Sequence, residues 1–279
     1  MEKKLFDNKN PHPRDSNIVF DEEPHLYYIN GSCKNNTSVT TIIHNNIFPH
    51  FDADKVINGI MRSRGWREKT SKYYGMTRGE IKAQWNDKTA SLLGTQMHLD
   101  IELYYNSEEF ENNSKEFKYF LDFERDVRKA NGWIPYRTEW VIYDEDLKLC
   151  GSIDMTYQVK GRSKKDIIIY DWKRSKNIKS TNDYESANKP FDWLPSCNFW
   201  HYSLQLNIYK YMLEKNYGVN VIGMNLLWLH PNNDDGYRIM PVPDLSDELG
   251  KYFKSKYYKK HLTKALSEKN EKLRTLGLL

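Results

Sequence analysis

The sequence predicts a mixed α/β (α+β) fold, in which helices flank a central mixed β-sheet. Two observations lead to this prediction. First, 39% of the 279 residues are hydrophobic and 29% are charged, which is typical of a globular chain with a sizeable core. Second, helical patterns come first, followed by three strands, a helix, two more strands and a lysine-rich helical segment. This order favours a sheet covered by helices.

The first ninety residues contain short predicted elements. Residues 1–17 are polar and predict a loose arm. Residues 18–43 predict a hairpin around the turn at 31–36 (GSCKNN), where Gly and Asn suit a tight reversal. Residues 52–92 show helical patterning broken by glycines, so we expect a small helical lobe in which Thr77 caps a helix.

Two longer helices follow. Residues 92–106 place Met97 and Ile101 four apart, the stripe of a helix that packs on a core, and Thr95 is the candidate N-cap. Residues 114–131 form a second amphipathic pattern that ends at Asn-Gly. Both helices are expected to cover the sheet.

The remaining elements define the sheet and its last helices. Strands are predicted at 138–143, 149–159 and 166–172, followed by a helix at 199–216. A hairpin at 219–230 and 237–242 and one or two helices over 245–275 complete the chain. We divide the chain into residues 1–92 (arm, hairpin and helical lobe) and residues 93–279 (the core with a basic C-terminal helix), together one compact unit.

Charge and cysteine content limit the functional classes. The net charge of +4 permits a polyanionic partner, and lysines cluster at 160–165, 173–179 and 251–260, although such clusters are also common on solvated surfaces. No run approaches about 18 apolar residues and the N-terminus lacks an apolar signal region, so neither a membrane partner nor secretion is expected. Three scattered cysteines indicate a reducing compartment such as cytoplasm, nucleus or viral factory.

The stretch at 151–173 carries the strongest chemical signal. It predicts two neighbouring strands, with Asp154 on the first and Asp171 and Lys173 at the end of the second. Residues two apart on a strand share a face, so Asp171 and Lys173 point the same way. Two carboxylates and an ammonium suit a hard divalent cation and phosphodiester hydrolysis. A buried salt bridge between Asp and Lys is the structural alternative.

Two pairs at helical spacing add to this signal. His98 and Glu102 lie four apart and share one side of their helix, where His98 is either a metal ligand or part of a polar edge. Gln205 and Tyr209 are also four apart, and they either contact a nucleic-acid backbone by hydrogen bonding and stacking or form ordinary surface.

Four ordered segments together resemble one family. They are GTQMHLDIE (94–102), GSID (151–154), DWK (171–173) and QLNIY (205–209), and they are similar to successive motifs of the PD-(D/E)XK nuclease superfamily, in its RecB-like and lambda-type exonuclease branch. The segment NGSCKNNTSVTTII also resembles a segment of viral and mitochondrial genome-maintenance members. The resemblance covers about residues 92–210.

The resemblance implies a restriction-endonuclease-like core and a Mg²⁺- or Mn²⁺-dependent deoxyribonuclease. Foremost, it implies an exonuclease that acts on DNA ends or single strands in replication, repair or recombination. A structure-specific endonuclease and a non-catalytic nucleic-acid-binding scaffold are the alternatives, and an oligomer is left open. Some relatives hold an iron–sulfur cluster with four cysteines; this chain has three, so no such cluster is expected.

The resemblance also implies roles for individual residues. The metal ligands would be His98, Asp154, Asp171 and the carbonyl of Trp172, whereas Lys173 would polarise the attacking water and Glu102 would be an accessory acid. The residues expected to contact the nucleic acid are Gln205, Tyr209, Ser38, Thr40 and Lys176. Ser38 and Thr40 could equally cap a turn.

Overall fold

A six-stranded mixed sheet forms the centre of the protein. The computed structural model describes residues 5–86 and 88–279 and also contains a two-stranded N-terminal hairpin. The strands are β1 (Ile18–Asp21), β2 (Leu26–Ile29), β3 (Thr37–Ser38), β4 (Trp133–Asp144), β5 (Leu149–Val159), β6 (Asp166–Lys173), β7 (Asn220–Trp228) and β8 (Arg238–Pro241).

Helices cover both faces of this sheet. The α-helices are α1 (Leu5–Lys9), α2 (Val39–Ile42), α3 (Ala53–Arg62), α4 (Arg78–Trp85), α5 (Thr89–Asn106), α6 (Lys115–Phe123), α7 (Asn198–Asn216), α8 (Ser246–Phe253) and α9 (Lys256–Thr275). Short 3₁₀ segments lie at Pro13–Asn17 and Arg64–Arg67, and π-helical turns lie at Ile43–Ile47 and Glu124–Lys129. None of the described helices combines the length and the apolar content that a membrane span requires.

The sheet is mixed because it contains both antiparallel and parallel strand pairs. Strands β4, β5 and β6 form an antiparallel meander, and α7 then returns the chain so that β7 lies parallel to β6. Strand β8 pairs antiparallel with β7, and the short β3 pairs in parallel with the start of β5. This confirms the predicted fold class, a central mixed sheet flanked by helices.

Strand β6 lies between two apolar layers. Ile167 and Ile169 pack in the larger cluster with α7, α8 and α9, whereas Tyr170 and Trp172 pack in a second cluster with α5 and α6. Alternate residues therefore face opposite helical layers, as expected for a central strand buried on both sides. Asp171 is two residues after Ile169, so its carboxylate points to the same side of the sheet as Ile167 and Ile169.

The predicted hairpin at 18–43 is wrong in its second strand. The observed hairpin closes earlier, because β1 pairs with β2 through a turn at residues 22–25. Residues 37 and 38 instead pair with β5, and α2 starts directly afterwards. The β-branched residues of this segment suggested a strand, but Ser38 accepts a hydrogen bond from the Thr41 backbone N–H at 3.0 Å and begins the helix.

Two predicted caps had different outcomes. Thr77 does cap α4, in a reciprocal capping box with Glu80. Thr95 does not cap α5, since that helix begins at Thr89 and the Thr95 hydroxyl donates to the carbonyl of Ser91 at 3.2 Å. The observed N-cap is Lys88, seven residues and about two turns before the predicted cap.

Candidate metal centre

A fork in the sheet creates the space for the candidate site. Residues 155–158 of β5 pair with β6, whereas residues 149 and 150 pair with β3. Between these two pairings, residues 151–153 pair with β4 alone in the described ladder, and Asp154 follows them without a β6 partner. Asp154 bridges the opening, because its Oδ2 accepts the backbone N–H of Trp172 at 2.7 Å. The GSID segment therefore borders a gap where two strands diverge.

Asp171 and Lys173 stand on the other side of the fork. Lys173 Nζ lies 2.5 Å from Asp171 Oδ2 and 4.6 Å from the centre of the Tyr202 ring. Asp171 is only 2% exposed, and its Oδ2 has no aligned hydrogen-bond donor among the described residues. The ammonium is thus held between a buried carboxylate and an aromatic face.

His98 reaches the same point from α5. Its Nε2 lies 3.0 Å from the carbonyl oxygen of Trp172, and its Nδ1 lies 3.5 Å from Asp154 Oδ2. The carbonyl fixes the orientation of the ring, so Nδ1 is the nitrogen that faces the carboxylates. The Trp172 carbonyl, expected as a metal ligand, contacts His98 in this structure.

Glu139 is a site residue that the sequence analysis missed. Its Oε1 lies 3.9 Å from His98 Nδ1, and its Oε2 accepts the hydroxyl of Ser152 at 3.0 Å. One ligand atom from each of His98, Glu139 and Asp154 lies within 4.8 Å of the other two. Glu139 has a φ of 42°, which is uncommon for a non-glycine residue and more so inside a strand.

The register explains how Glu139 arrives there. Thr138 pairs with Met155 and Trp140 pairs with Ile153, so Glu139 lies between them opposite Asp154. The alternation in 138–143 predicted the strand but not this partner. Only the pairing of β4 with β5 could have revealed the third acid.

The charges at this centre shift one another's proton affinity. Burial, together with the neighbouring charge of Asp171, raises the pKa of Asp154 to about 7. Burial alone would lower the pKa of His98, but the carboxylates of Asp154 and Glu139 raise it to about 9. Burial also opposes the charge of Lys173, yet Asp171 and Asp154 hold its pKa above the ordinary value. Without a metal, the centre therefore retains protons near neutral pH.

The donor set fits a divalent cation. Carboxylate oxygens with one imidazole nitrogen suit Mg²⁺ or Mn²⁺, and the imidazole favours Mn²⁺ of the two. The buried carboxylate of Asp171, which is paired with Lys173, is a further acceptor beside the fork. Several carboxylates buried around one gap are costly unless cations offset their charge, and Lys173 and a metal would provide this.

Two other predicted site residues lie on α5 and α7. Glu102 lies one turn after His98 on α5, outside the cluster of His98, Glu139 and Asp154. Tyr209 is 2% exposed, and its hydroxyl accepts from Gln205 Nε2 at 3.3 Å. Its ring therefore contacts protein rather than solvent, and the half-exposed Gln205 is the polar group at the surface.

Gly151 explains how Tyr209 fits. A Cβ at position 151 would lie 2.6 Å from both Cε1 and Oη of Tyr209, far inside van der Waals contact. Tyr209 itself is buried, so its ring has little room to retreat. The glycine of the GSID segment allows the ring to pack directly on the β5 backbone.

We therefore expect Gly151→Ala to destabilise the protein by about 1–3 kcal/mol, because the methyl group forces Tyr209 out of its position. Urea unfolding followed by circular dichroism measures the change. Gly94→Ala is the matched control: no atom lies within 4 Å of its added Cβ in α5, and we expect a gain of up to about 1 kcal/mol. Equal stability of the two variants would contradict the packing account.

The remaining residues predicted to contact nucleic acid, Ser38, Thr40 and Lys176, are not part of the cluster of His98, Glu139 and Asp154. Ser38 caps α2 and its hydroxyl is also 2.9 Å from that of Thr40, so the capping alternative describes the contacts that these two residues make. Lys176 is exposed in the loop that follows β6.

Comparisons with known proteins give a limited result. No model of a known protein family matches the chain, and no curated protein matches its sequence. Among solved structures, the chain is similar to one from Eubacterium rectale described as a "putative exonuclease", with 18% identity and a TM-score of 0.36. The similarity covers 80% of this chain and 81% of that chain. A similarity this weak carries no weight for function, so the proposals below rest on the site itself.

Proposed function

We propose that the protein is a metal-dependent deoxyribonuclease of the RecB-like PD-(D/E)XK type, and that it acts as an exonuclease on DNA ends or single strands. The observation that supports this most is the convergence of His98, Asp154, Asp171 and Lys173 at one fork of the sheet. These residues come from one helix and two strands, and they span seventy-six positions of the chain from His98 to Lys173.

The proposed roles follow from the chemistry of each group. A bound Mg²⁺ or Mn²⁺ would stabilise charge on phosphate oxygens and acidify a water molecule. Asp154, Asp171 and His98 would hold the cation, with Glu139 as an additional ligand. Each must be deprotonated to do so, and the Trp172 carbonyl keeps Nδ1 of His98 turned toward the carboxylates.

Lys173 would act on the attacking water and on the phosphate. Its ammonium is fixed by Asp171 and the Tyr202 ring, so it is oriented before substrate binds. A fixed positive charge beside the reacting phosphate stabilises the negative charge that grows in the transition state. Gln205 would hydrogen-bond the DNA backbone, and Tyr209 would act as a positioning residue for its amide.

Product analysis separates the proposed exonuclease from the other readings. End-labelled linear DNA, single-stranded DNA and closed circular DNA are each incubated with the protein and Mn²⁺. We expect short products from the ends of linear substrates and none from closed circles. Nicked circles would indicate an endonuclease, and DNA binding without any hydrolysis would overturn the proposal.

Glu139→Gln is expected to weaken Mn²⁺ binding by about 10- to 100-fold, because it removes a negative ligand beside His98 while keeping the side-chain shape. Isothermal titration calorimetry measures the affinity. Glu109→Gln, at an exposed position between α5 and α6, is the control and should bind as the wild type does. A wild-type affinity in Glu139→Gln would exclude Glu139 from the ligand set.

The metal-free protein should lose stability as pH rises from about 6 to 9. The pKa of Asp154 is raised from 3.8 to about 7 and the pKa of His98 from 6.5 to about 9, so the folded state holds more protons than the unfolded state in this range. Rising pH then favours unfolding. Melting temperatures in EDTA, compared with those of His98→Gln, measure this slope.

We expect a steeper fall with pH for the wild type than for His98→Gln. Mn²⁺ competes with the same protons, so its affinity for the wild type should rise over the same range. A wild-type melting temperature that rises relative to the variant between pH 6 and pH 9 would contradict the assigned shifts.

A further inference from the structure

A groove beside α9 is lined by polar and positively charged side chains, none of which belongs to the metal cluster. It has a volume of about 730 Å³ and is lined by Lys189, Lys256, Lys260, Lys264, Asn45 and Asn46, among others. Among the described lining residues, none is acidic. The groove is therefore strongly positive in a protein whose net charge is only +4.

The lysines of α9 form one stripe. Lys256, Lys260 and Lys264 are spaced four apart, so they follow one another along the same side of the helix over about 12 Å. Like charges at this spacing destabilise a helix. Within the described chain, Lys189, Lys256 and Lys260 have no acidic partner, and Lys264 lies 3.7 Å from Glu268. The first turn of α9 adds the positive end of the helix dipole.

A second observation points to a ligand. Asn46 lines the groove and is only 4% exposed, yet neither its Nδ2 nor its Oδ1 has a hydrogen-bond partner among the described residues. Leaving a buried carboxamide unpaired costs free energy unless a ligand or water satisfies it. A phosphate oxygen would accept from Nδ2, and a base could pair with both atoms.

The groove and helix α7 both contact the turn Ile43–Ile47. Asn45 and Asn46 belong to the π-helical turn Ile43–Ile47, whose His44 Nδ1 lies 3.1 Å from Nδ1 of His201. His201 stands one turn before Gln205 on α7, and the charge of Lys173 is close enough to contribute to the lowered pKa of His44, after burial. The turn Ile43–Ile47 thus contributes Asn45 and Asn46 to the groove and His44 to the contact with α7.

We propose that this groove binds the phosphate backbone of a single nucleic-acid strand that extends from the metal centre, with Lys256, Lys260 and Lys189 on successive phosphates and Asn46 as a hydrogen-bonding group. The inference rests on the proposed nuclease function for the identity of its ligand. Lys256 and Lys260 lie about 6 Å apart along α9, and Lys189 adds a third cation from outside this helix, so the charge is spread over more than one isolated phosphate would use.

Binding of a strand can be tested without hydrolysis. A fluorescein-labelled oligo-dT of about 16 nucleotides is titrated in EDTA at several salt concentrations with the wild type and with a Lys256→Gln/Lys260→Gln double variant. We expect at least about tenfold weaker binding, and the salt slope should fall by about 0.7 for each lost contact. The control is Lys160→Gln/Lys164→Gln, at exposed positions in the β5–β6 turn.

Two outcomes would contradict the proposed binding of a strand in this groove. One is unchanged affinity and salt slope in the α9 variant, and the other is an equal loss in the control. Hydrolysis of bis(p-nitrophenyl) phosphate with Mn²⁺ is measured in parallel, because this small diester reaches the metal centre alone. The α9 variant should hydrolyse it at the wild-type rate. Absence of hydrolysis by the wild type would reject the nuclease function, whereas the binding result decides the groove separately.

Discussion

Lys173→Met is expected to lower DNA hydrolysis by about 10²- to 10³-fold while leaving Mn²⁺ binding intact. Methionine keeps the length and most of the packing of the side chain but removes the ammonium that lies 2.5 Å from Asp171 and 4.6 Å from the Tyr202 ring centre. A charge that acts on the transition state contributes to the rate and little to metal affinity. The substitution also removes a cation that competes with the metal for Asp171, so Mn²⁺ affinity should be equal to or higher than that of the wild type.

The measurement is a pair of readouts on the same protein. Calorimetry gives the Mn²⁺ affinity, and single-turnover cleavage of labelled single-stranded DNA gives the rate. Lys179→Met is the control, since this lysine is exposed in the connection before α7. Equal loss of metal binding and hydrolysis in Lys173→Met would mean that the lysine only supports the fold of the site.

Asp154→Asn is expected to abolish detectable hydrolysis and to weaken Mn²⁺ binding by about 100-fold or more. Its carboxylate faces His98 Nδ1 at 3.5 Å and lies near Asp171 and Glu139, so it is central to the proposed ligand set. Asparagine can still accept the Trp172 N–H, which keeps the two sides of the fork together.

The same substitution should not destabilise the metal-free protein at pH 8. Burial and Asp171 disfavour the charged form of Asp154, and asparagine removes that charge. We therefore expect a melting temperature in EDTA equal to or above that of the wild type. Such a gain in stability with a loss of function is the pattern expected of a residue selected for its chemistry. A lower melting temperature with retained Mn²⁺ affinity would assign Asp154 a purely structural role.

Much of the fold could be predicted because local patterns and tertiary structure agree there. The apolar run IIIYDW predicted strand β6, and the two-residue repeat of a strand put Asp171 and Lys173 on the same side. Helical spacing predicted the α5 face that carries His98. These predictions needed only the repeat of a single element.

The features that were missed depend on partners distant in sequence. Glu139 joins the centre through the β4–β5 register and a positive φ, neither of which a single strand reveals. Tyr202 lies over Lys173 only because α7 crosses the sheet at that point. The segment after Ser38 has β-branched residues, yet its cap and its burial in the core make it a helix.

The burial of Tyr209 is a further case of tertiary context. Its spacing from Gln205 suggested a pair that contacts DNA, and the packing of its ring on Gly151 was not apparent from either motif alone. The GSID and QLNIY segments are in contact, so a substitution at Gly151 changes the position of Tyr209.

Metal-dependent cleavage tests the central claim most directly. Labelled single-stranded DNA is incubated with wild-type protein in Mn²⁺, in Mg²⁺ and in EDTA, and Asp171→Ala is treated in the same way. The account predicts hydrolysis by the wild type with either metal, none in EDTA, and none by Asp171→Ala. Cleavage that persists in EDTA or in Asp171→Ala, or a wild type that binds Mn²⁺ and cleaves no DNA, would contradict it.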